Sequence, residues 1–292
     1  MIDLHCHILP GIDDGAPDDA TAVAMARMFV ADGVTTVACT PHILPGLYHN
    51  SGPQIRDAVT RLELKFMEQG IDLAIVPGAD AHICPSFVQD LKSGAIPTLG
   101  NSRYVLVEPP HHTAPQRIEQ FFFDILVAGY VPILTHPERL TWINQQYETM
   151  QRLVAKGVWM QITAGSLTGA FGKNAQYWAE RMLDEGAVHI LATDAHEAHR
   201  RLPNLGRGRD AAAKRVGELE AQHLVLTRPR GVLANEAPNT FPAPAGIDRS
   251  NGAGSRDVAR SSDDAKAHDD RSRSGRADGT GGWSQRLRRL FE

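Results

Sequence analysis

Short apolar runs alternate with amphipathic segments over most of the chain. In one amphipathic segment, Ile55, Val59, Leu62 and Phe66 recur at helical spacing, and Gly70 supplies the stop. Strand-length apolar runs cover residues 2–4, 34–39, 73–76, 104–107, 131–134, 158–162 and 188–192. Strands that recur at roughly 30-residue intervals with helices between them predict parallel βα units. Seven such units favour a closed or nearly closed α/β barrel, with a doubly wound open sheet as the alternative.

The pattern stops near residue 239. Between residues 242 and 282 the only branched aliphatic residues are Ile247 and Val258, in a background of Ser, Asp, Arg and Gly. Such a segment buries too little apolar surface to offset the entropy cost of ordering it. We therefore predict one domain over residues 1–238 and a disordered linker over residues 239–282.

Apolar spacing returns at the end of the chain. Trp283, Leu287, Leu290 and Phe291 fall on one helical stripe, with arginines beside it. One interpretation of residues 283–292 is a short amphipathic helix that docks on an anionic membrane or in a groove of a partner. A frayed terminus with chance spacing is the other.

Charge and cysteine content narrow the class of protein. The chain has 30 Lys and Arg against 34 Asp and Glu, so a general nucleic-acid binder is disfavoured. Three cysteines, an odd number, argue against a disulfide framework and fit a reducing cytoplasm. We find neither a secretion signal nor an apolar stretch near the ~18 residues of a membrane span, and we expect a cytoplasmic protein.

Metal-ligand residues follow six of the seven predicted strands, and they are His5, His7, His42, Asp80, His82, Glu108, His136, Asp194 and His196. The carboxyl ends of parallel strands meet at one mouth, where active sites form in such folds. Imidazoles and carboxylates without a cysteine set suit Mn, Fe or Zn in a multinuclear hydrolytic site.

The segment after the first strand carries the strongest single signal. His5 and His7 lie two apart on an extended segment and face the same side, whereas Cys6 points into the core. Asp13 and Asp14 follow, and each could cap the next helix or lie beside the histidines. His111 and His112 fall in a predicted loop, where we expect solvent-exposed side chains.

Two arginines are predicted at the same mouth. Arg139 lies three residues beyond His136, and Arg201 lies seven residues beyond Asp194. Two guanidinium groups beside a metal cluster would form a clamp for an anionic group such as phosphate. Cysteine-dependent phosphoryl transfer is excluded, because no cysteine is followed six residues later by an arginine.

Seven ordered motifs resemble those of the polymerase-and-histidinol-phosphatase (PHP) superfamily, and they read DLHCHILPGIDDGA, TPH, GADAH, LVEPP, THPERL, GSLTGAFG and ATDAH followed by RRLP. Within it, the chain most resembles the bacterial metal-dependent protein-tyrosine phosphatases of capsule and exopolysaccharide assembly. The resemblance covers about residues 1–235. It implies a distorted (β/α)7 barrel of the TIM-like type with three divalent ions, commonly Mn, with Fe and Zn as alternatives.

The resemblance also implies roles for individual residues. Arg139 and Arg201 would hold the substrate phosphate, with Arg200 as an alternative to Arg201. Asp80 departs from the family pattern, which has glutamate bridging two metals there, so the shorter side chain puts metal occupancy in question. The implied metal ligands are His5, His7, Asp14, His42, Asp80, Glu108, His136, Asp194 and His196.

The implied function is hydrolysis of phosphotyrosine by a metal-activated water, without a phosphoenzyme. The expected partner is a phosphotyrosine protein, namely a membrane-associated bacterial tyrosine kinase that regulates capsule or exopolysaccharide assembly. The expected location is the cytoplasm, including the inner face of the membrane. The alternatives are a small-molecule phosphatase of the histidinol phosphatase type and a non-catalytic metal-binding regulator.

Overall fold

The computed structural model describes residues 1–246. The strands in this range are β1 (Ile2–Cys6), β2 (Thr36–Cys39), β3 (His42–Leu44), β4 (Tyr48–His49), β5 (Ala74–Pro77), β6 (Asp80–His82), β7 (Tyr104–Glu108), β8 (Val131–Thr135), β9 (Trp159–Thr163) and β10 (Ile190–Ala192). The α-helices are α1 (Asp19–Ala31), α2 (Gly52–Glu68), α3 (Phe87–Ser93), α4 (Ile118–Val127), α5 (Ile143–Ala155), α6 (Ala164–Leu167), α7 (Gly172–Asp184), α8 (Leu205–Val216), α9 (Glu218–Gln222) and α10 (Arg228–Leu233).

The strands form a distorted parallel barrel, as the sequence predicts. One sheet has the order β1-β2-β5, and the other has the order β10-β9-β8-β7-β6-β3-β4. Every pairing is parallel except that of β3 with β4. The ring closes where Cys6 bridges Ala195, with the His7 amide donating to the Ala195 carbonyl at 2.9 Å. The second and third predicted strands form as β2 and β5, and each is followed by a separate short strand, β3 and β6, that pairs in the other sheet.

The helices pack their apolar sides on the outside of this barrel. In α2, the predicted positions Ile55, Val59, Leu62 and Phe66 are all buried, which is the arrangement that helical spacing requires of a half-covered helix. None of the described helices has the length and apolarity needed to cross a bilayer.

Apolar side chains fill the barrel interior at its amino-terminal end, with Tyr104, Ile133 and Trp159 among them. This plug leaves the opposite end of the barrel as the open mouth. Phe241 packs on the plug, with its ring centroid 5.2 Å from that of Trp159, so ordered packing continues beyond the predicted boundary at residue 238. Of the linker predicted at residues 239–282, the part from residue 247 onward lies outside the described residues, as does the predicted amphipathic segment at residues 283–292.

Candidate metal centre

The side chains predicted to bind metal lie together at the carboxyl end of the barrel. Each of the nine belongs to at least one group of three or four residues whose donor atoms lie within 4.8 Å of one another. His82 and His111 join these groups as well. The nine are His5, His7, Asp14, His42, Asp80, Glu108, His136, Asp194 and His196.

His5 lies at the deepest part of the cluster. Its Nε2 atom is 3.2 Å from His7 Nε2, 3.3 Å from Asp194 Oδ1 and 3.4 Å from Asp80 Oδ2. Its Nδ1 atom is 2.8 Å from Gln161 Oε1, an oxygen that can only accept. Nδ1 of His5 therefore carries a hydrogen, and Nε2 is the ring nitrogen that faces the carboxylates.

The structure separates the roles of the two neighbouring aspartates. Asp13 Oδ2 lies 2.8 Å from His7 Nδ1 and also accepts the His42 amide at 3.1 Å, so Asp13 holds the His7 ring from behind. Its other oxygen accepts the Gly15 amide at 2.9 Å. A Cβ at Gly15 would lie 2.1 Å from the His7 carbonyl oxygen, so only glycine allows this loop to fold against the end of β1.

Asp14, by contrast, faces the cluster. Its Oδ1 atom lies 3.5 Å from the Nε2 atoms of both His42 and His196, and 42% of its side chain is exposed. Neither aspartate is needed as a helix cap, because Asp18 accepts the Thr21 amide at 2.8 Å and caps α1.

Glu108 contacts four histidines of the cluster. Its Oε2 atom lies 3.1 Å from His42 Nδ1 and contacts His82 Nε2. Its Oε1 atom lies 3.4 Å from His111 Nε2 and 3.6 Å from His136 Nε2. The expectation of a solvent-exposed His111 was wrong, since its side chain is only 29% exposed and lies against Glu108, three residues earlier in the chain.

The donor atoms fit divalent cations. Asp80 is fully buried, yet neither of its oxygens has a hydrogen-bond partner among the described residues, a costly state for a carboxylate without a cation. Imidazole nitrogens of His5, His42 and His136 surround it at 3.4, 3.6 and 3.9 Å. Two ligand atoms each about 2.1 Å from one ion would be about 3.0–3.4 Å apart, close to the shorter of these spacings.

Burial and nearby carboxylates shift the pKa values of His5 and His42 in opposite directions. Burial disfavours the imidazolium of His5, but Asp194 and Asp80 outweigh it and raise the pKa of His5 to about 9. Burial likewise opposes the charge of His42, and Glu108 outweighs it and raises the pKa of His42 to about 10. The carboxylates thus favour positive charge at this place, and bound metal ions would supply it.

Two other histidines of the cluster, His136 and His196, stay neutral. Burial and the Arg139 guanidinium lower the pKa of His136 to about 3. Burial, His7 and Arg201 lower the pKa of His196 to about 4. Neutral imidazoles are the form that binds a metal ion.

Arg139 and Arg201 converge on one atom. Both guanidinium groups donate to Asp194 Oδ2, and that of Arg139 also lies 4.3 Å above the centre of the Phe171 ring. Arg200 is exposed and makes none of these contacts, so the structure favours Arg201 over Arg200. Two forked donors at the edge of a cation site are suited to binding a phosphate group.

Strained backbone at His136 and Asp194, together with the buried Glu138, fixes the positions of the site residues. His136 and Asp194 have φ angles of 35° and 52°, in the left-handed region that side chains other than glycine rarely adopt. Glu138 is fully buried and accepts from the Thr163 amide at 2.9 Å and from Ser166 Oγ at 2.8 Å. It therefore ties the turn that carries Arg139 to the end of β9 and to α6.

Comparisons with known proteins identify the family of the chain. A family model for capsular polysaccharide synthesis, CpsB/CapC, matches residues 1–234. The chain is 38% identical over 201 residues to the tyrosine-protein phosphatase YwqE of Bacillus subtilis, which covers 69% of this chain and 79% of that protein. It is 27% identical over 241 residues to the tyrosine-protein phosphatase CpsB of Streptococcus pneumoniae, covering 81% and 99%.

A solved structure also superimposes on the chain. It comes from work on YwqE of Bacillus subtilis and CpsB of Streptococcus pneumoniae, described there as unique metal-dependent tyrosine phosphatases. It aligns with a TM-score of 0.79 at 34% identity, covering 85% of this chain and 100% of the solved one.

Proposed function

The chain belongs to the capsular polysaccharide synthesis family CpsB/CapC, and on this premise we propose that it hydrolyses phosphotyrosine on proteins as a metal-dependent enzyme. The observation that carries the proposal is the pair of guanidinium groups, Arg139 and Arg201, that meet at Asp194 on the edge of a His and carboxylate cluster. The cluster would bind cations, and the pair would bind the phosphate.

We assign three divalent ions to the site, with Mn as the first choice and Fe and Zn as alternatives. The donor groups around His5, Asp14 and Glu108 would hold them. When bound, such ions lower the pKa of water from 15.7 towards ~7 and so supply a nucleophile at neutral pH.

The arginines of this chain would orient the substrate. Each guanidinium presents several N–H donors in a plane, and a phosphate offers oxygens to both at once. These donors are directed to Asp194 Oδ2, which keeps the clamp at the edge of the cluster. The stacking of Arg139 on Phe171 restricts that side chain further.

Burial disfavours Cys6, the cysteine between two of the predicted metal ligands, as a nucleophile. Cys6 is fully buried, and its thiol donates to the Ala195 carbonyl at 3.5 Å. Burial raises the pKa of the Cys6 thiol well above its usual range, which leaves almost no thiolate at neutral pH.

Phosphotyrosine is a suitable substrate because its leaving group is a phenolate. The free phenol has a pKa of about 10, so the phenolate leaves with little help from a general acid.

The physiological substrate in this proposal is a phosphotyrosine protein of capsule or exopolysaccharide assembly, namely a membrane-associated bacterial tyrosine kinase. Support comes from the polysaccharide family and from the phosphatase names of the relatives. We place the enzyme in the cytoplasm, where its three free cysteines would stay reduced, with access to the inner face of the membrane.

A substrate comparison tests the proposal. The Mn-loaded full chain is given a phosphotyrosine peptide, a phosphoserine peptide and histidinol phosphate at equal concentrations, and released phosphate is measured. We expect kcat/KM to be highest for the phosphotyrosine peptide. A higher value for histidinol phosphate would replace the proposal with a small-molecule phosphatase, and no release from any of them would leave a metal-binding regulator.

A further inference from the structure

His82 lies at the metal centre but is not among the nine ligands that the family resemblance implies. Strand β6 pairs with β7 in parallel, and His82 is the register partner of Glu108. Register partners point their side chains to the same face of a sheet, which explains why His82 Nε2 contacts Glu108 Oε2. Asp80 lies two residues earlier on β6 and therefore faces the same side.

A second imidazole reaches the same carboxylate oxygen. His42, on β3, is the register partner of Asp80, and its Nδ1 atom lies 3.1 Å from Glu108 Oε2. The ring centroids of His42 and His82 are 5.4 Å apart. Thus two imidazole nitrogens approach one carboxylate oxygen from two neighbouring strands.

These contacts lack hydrogen-bond geometry. Both His42 Nδ1 and Glu108 Oε2 are buried and without a hydrogen-bond partner among the described residues. Ligand atoms that approach one another closely without pairing are arranged around a shared point, as they are around an ion. The donor atoms of His42, His82 and Glu108 all lie within 4.8 Å of one another, and the side chains of His42 and His82 are each only 13% exposed.

The position of Asp80 explains why an additional ligand is useful here. Its Oδ2 atom lies 3.4 Å from His5 Nε2 but 3.6 Å from His42 and 3.9 Å from His136. The short carboxylate is therefore closest to the His5 side of the cluster. His82, which contacts Glu108, is placed to add a ligand for an ion on the Glu108 side.

We propose that His82 is a direct metal ligand, which binds one divalent ion together with Glu108 and His42. This inference rests on the metal binding of the proposed function. Two imidazoles and one carboxylate form the donor set of open zinc sites and also suit Fe(II) and Mn, whereas Mg prefers all-oxygen sites. The site should therefore bind Zn²⁺ or Mn²⁺ in the presence of excess Mg²⁺.

The experiment measures metal, not turnover. The full chain is stripped with a chelator, reloaded with Zn²⁺ or Mn²⁺ in excess Mg²⁺, and its bound metal is counted by mass spectrometry and titrated by calorimetry. His82→Ala and His82→Gln are compared with His49→Gln, an exposed histidine on the neighbouring β4. Thermal unfolding of the stripped proteins shows whether each variant is folded.

We expect both His82 variants to fold like the parent and either to lose one ion per chain or to bind it at least ~10-fold more weakly. His49→Gln should bind like the parent. Unchanged stoichiometry and affinity in both His82 variants would overturn the assignment. This outcome is distinguishable from failure of the proposed function. If the chain never hydrolyses phosphotyrosine but loses an ion when His82 is replaced, the phosphatase proposal is wrong and the assignment of His82 as a ligand stands.

Discussion

Asp13 Oδ2 lies 2.8 Å from His7 Nδ1, and this contact fixes the ring so that His7 Nε2 faces Asp194 at 3.3 Å. A carboxylate behind a metal-binding histidine sets its tautomer and raises its basicity. Asp13→Ala should therefore weaken metal binding ~10- to 100-fold, and Asp13→Asn should do so less, because the amide oxygen still accepts. Calorimetric titration with Mn²⁺ measures this, with Asp18→Asn, at the exposed cap of α1, as the control. Equal affinity in Asp13→Ala and the parent would refute the role.

The arginine clamp gives a second prediction. Arg139→Ala and Arg201→Ala should each lower kcat/KM for a phosphotyrosine peptide about 10²- to 10³-fold, or about 2–4 kcal/mol, because a charged phosphate contact is lost. Bound metal should stay at the parental level, and lysine at either position should restore only part of the rate. The matched control is Arg200→Ala, since Arg200 is exposed beside Arg201. Parental rates in both alanine variants would show that the arginines are ordinary surface charges.

The short carboxylate at residue 80 gives a third prediction. In Asp80→Glu the added methylene extends the carboxylate toward His136, which is now 3.9 Å away. Metal occupancy should rise, or the Mn²⁺ concentration needed for half-maximal activity should fall. Metal analysis and activity titration measure these two quantities. Lower occupancy together with a higher Mn²⁺ requirement would mean that the surrounding backbone has adapted to aspartate.

A histidine far from the metal centre gives a pH prediction. His189 stacks on Trp159, and its Nδ1 accepts the Met160 amide at 3.2 Å. Burial and the nearby Arg228 lower the pKa of His189 to about 3, from an unfolded value near 6.5. The unfolded chain therefore binds the extra proton first, and the stability present above pH 6.5 is lost progressively as pH falls toward 3.

The expected loss from this residue at pH 5 is about 2 kcal/mol in the free energy of unfolding. Urea unfolding of the metal-free chain at pH 7, 6 and 5 measures it. His189→Phe keeps the ring against Trp159 but has no titrating nitrogen, so its stability should depend less on pH over this range. The same slope in parent and variant would exclude His189 as the source.

Local pattern predicted much of the fold and of the site. Apolar runs and helical spacing predicted the parallel strands and helix α2, and parallel strands bring their carboxyl ends together whatever the details of packing. Residues as distant in sequence as His5 and Asp194 could therefore be predicted to be neighbours, and they lie 3.3 Å apart.

What could not be predicted depends on register and on contacts between distant segments. That His82 faces Glu108 follows from how β6 pairs with β7, which neither strand specifies alone. The choice between Asp13 and Asp14 depends on the Gly15 backbone packing against His7. His111 looked like an ordinary loop residue, and only the turn after β7 brings it back to Glu108. The packing of Phe241 on Trp159 was likewise missed, because the polar composition after residue 239 favoured a disordered segment.

Metal-dependent catalysis is tested by hydrolysis of a phosphotyrosine peptide by the full chain, assayed after stripping with a chelator and again after Mn²⁺ is restored. Cys6→Ala and Asp194→Asn are assayed alongside. We expect that stripping abolishes phosphate release, that Mn²⁺ restores it in the parent and in Cys6→Ala, and that Asp194→Asn stays inactive with less bound metal. Full activity in strong chelator, or loss of activity on gentle thiol alkylation of the metal-loaded enzyme, would contradict it.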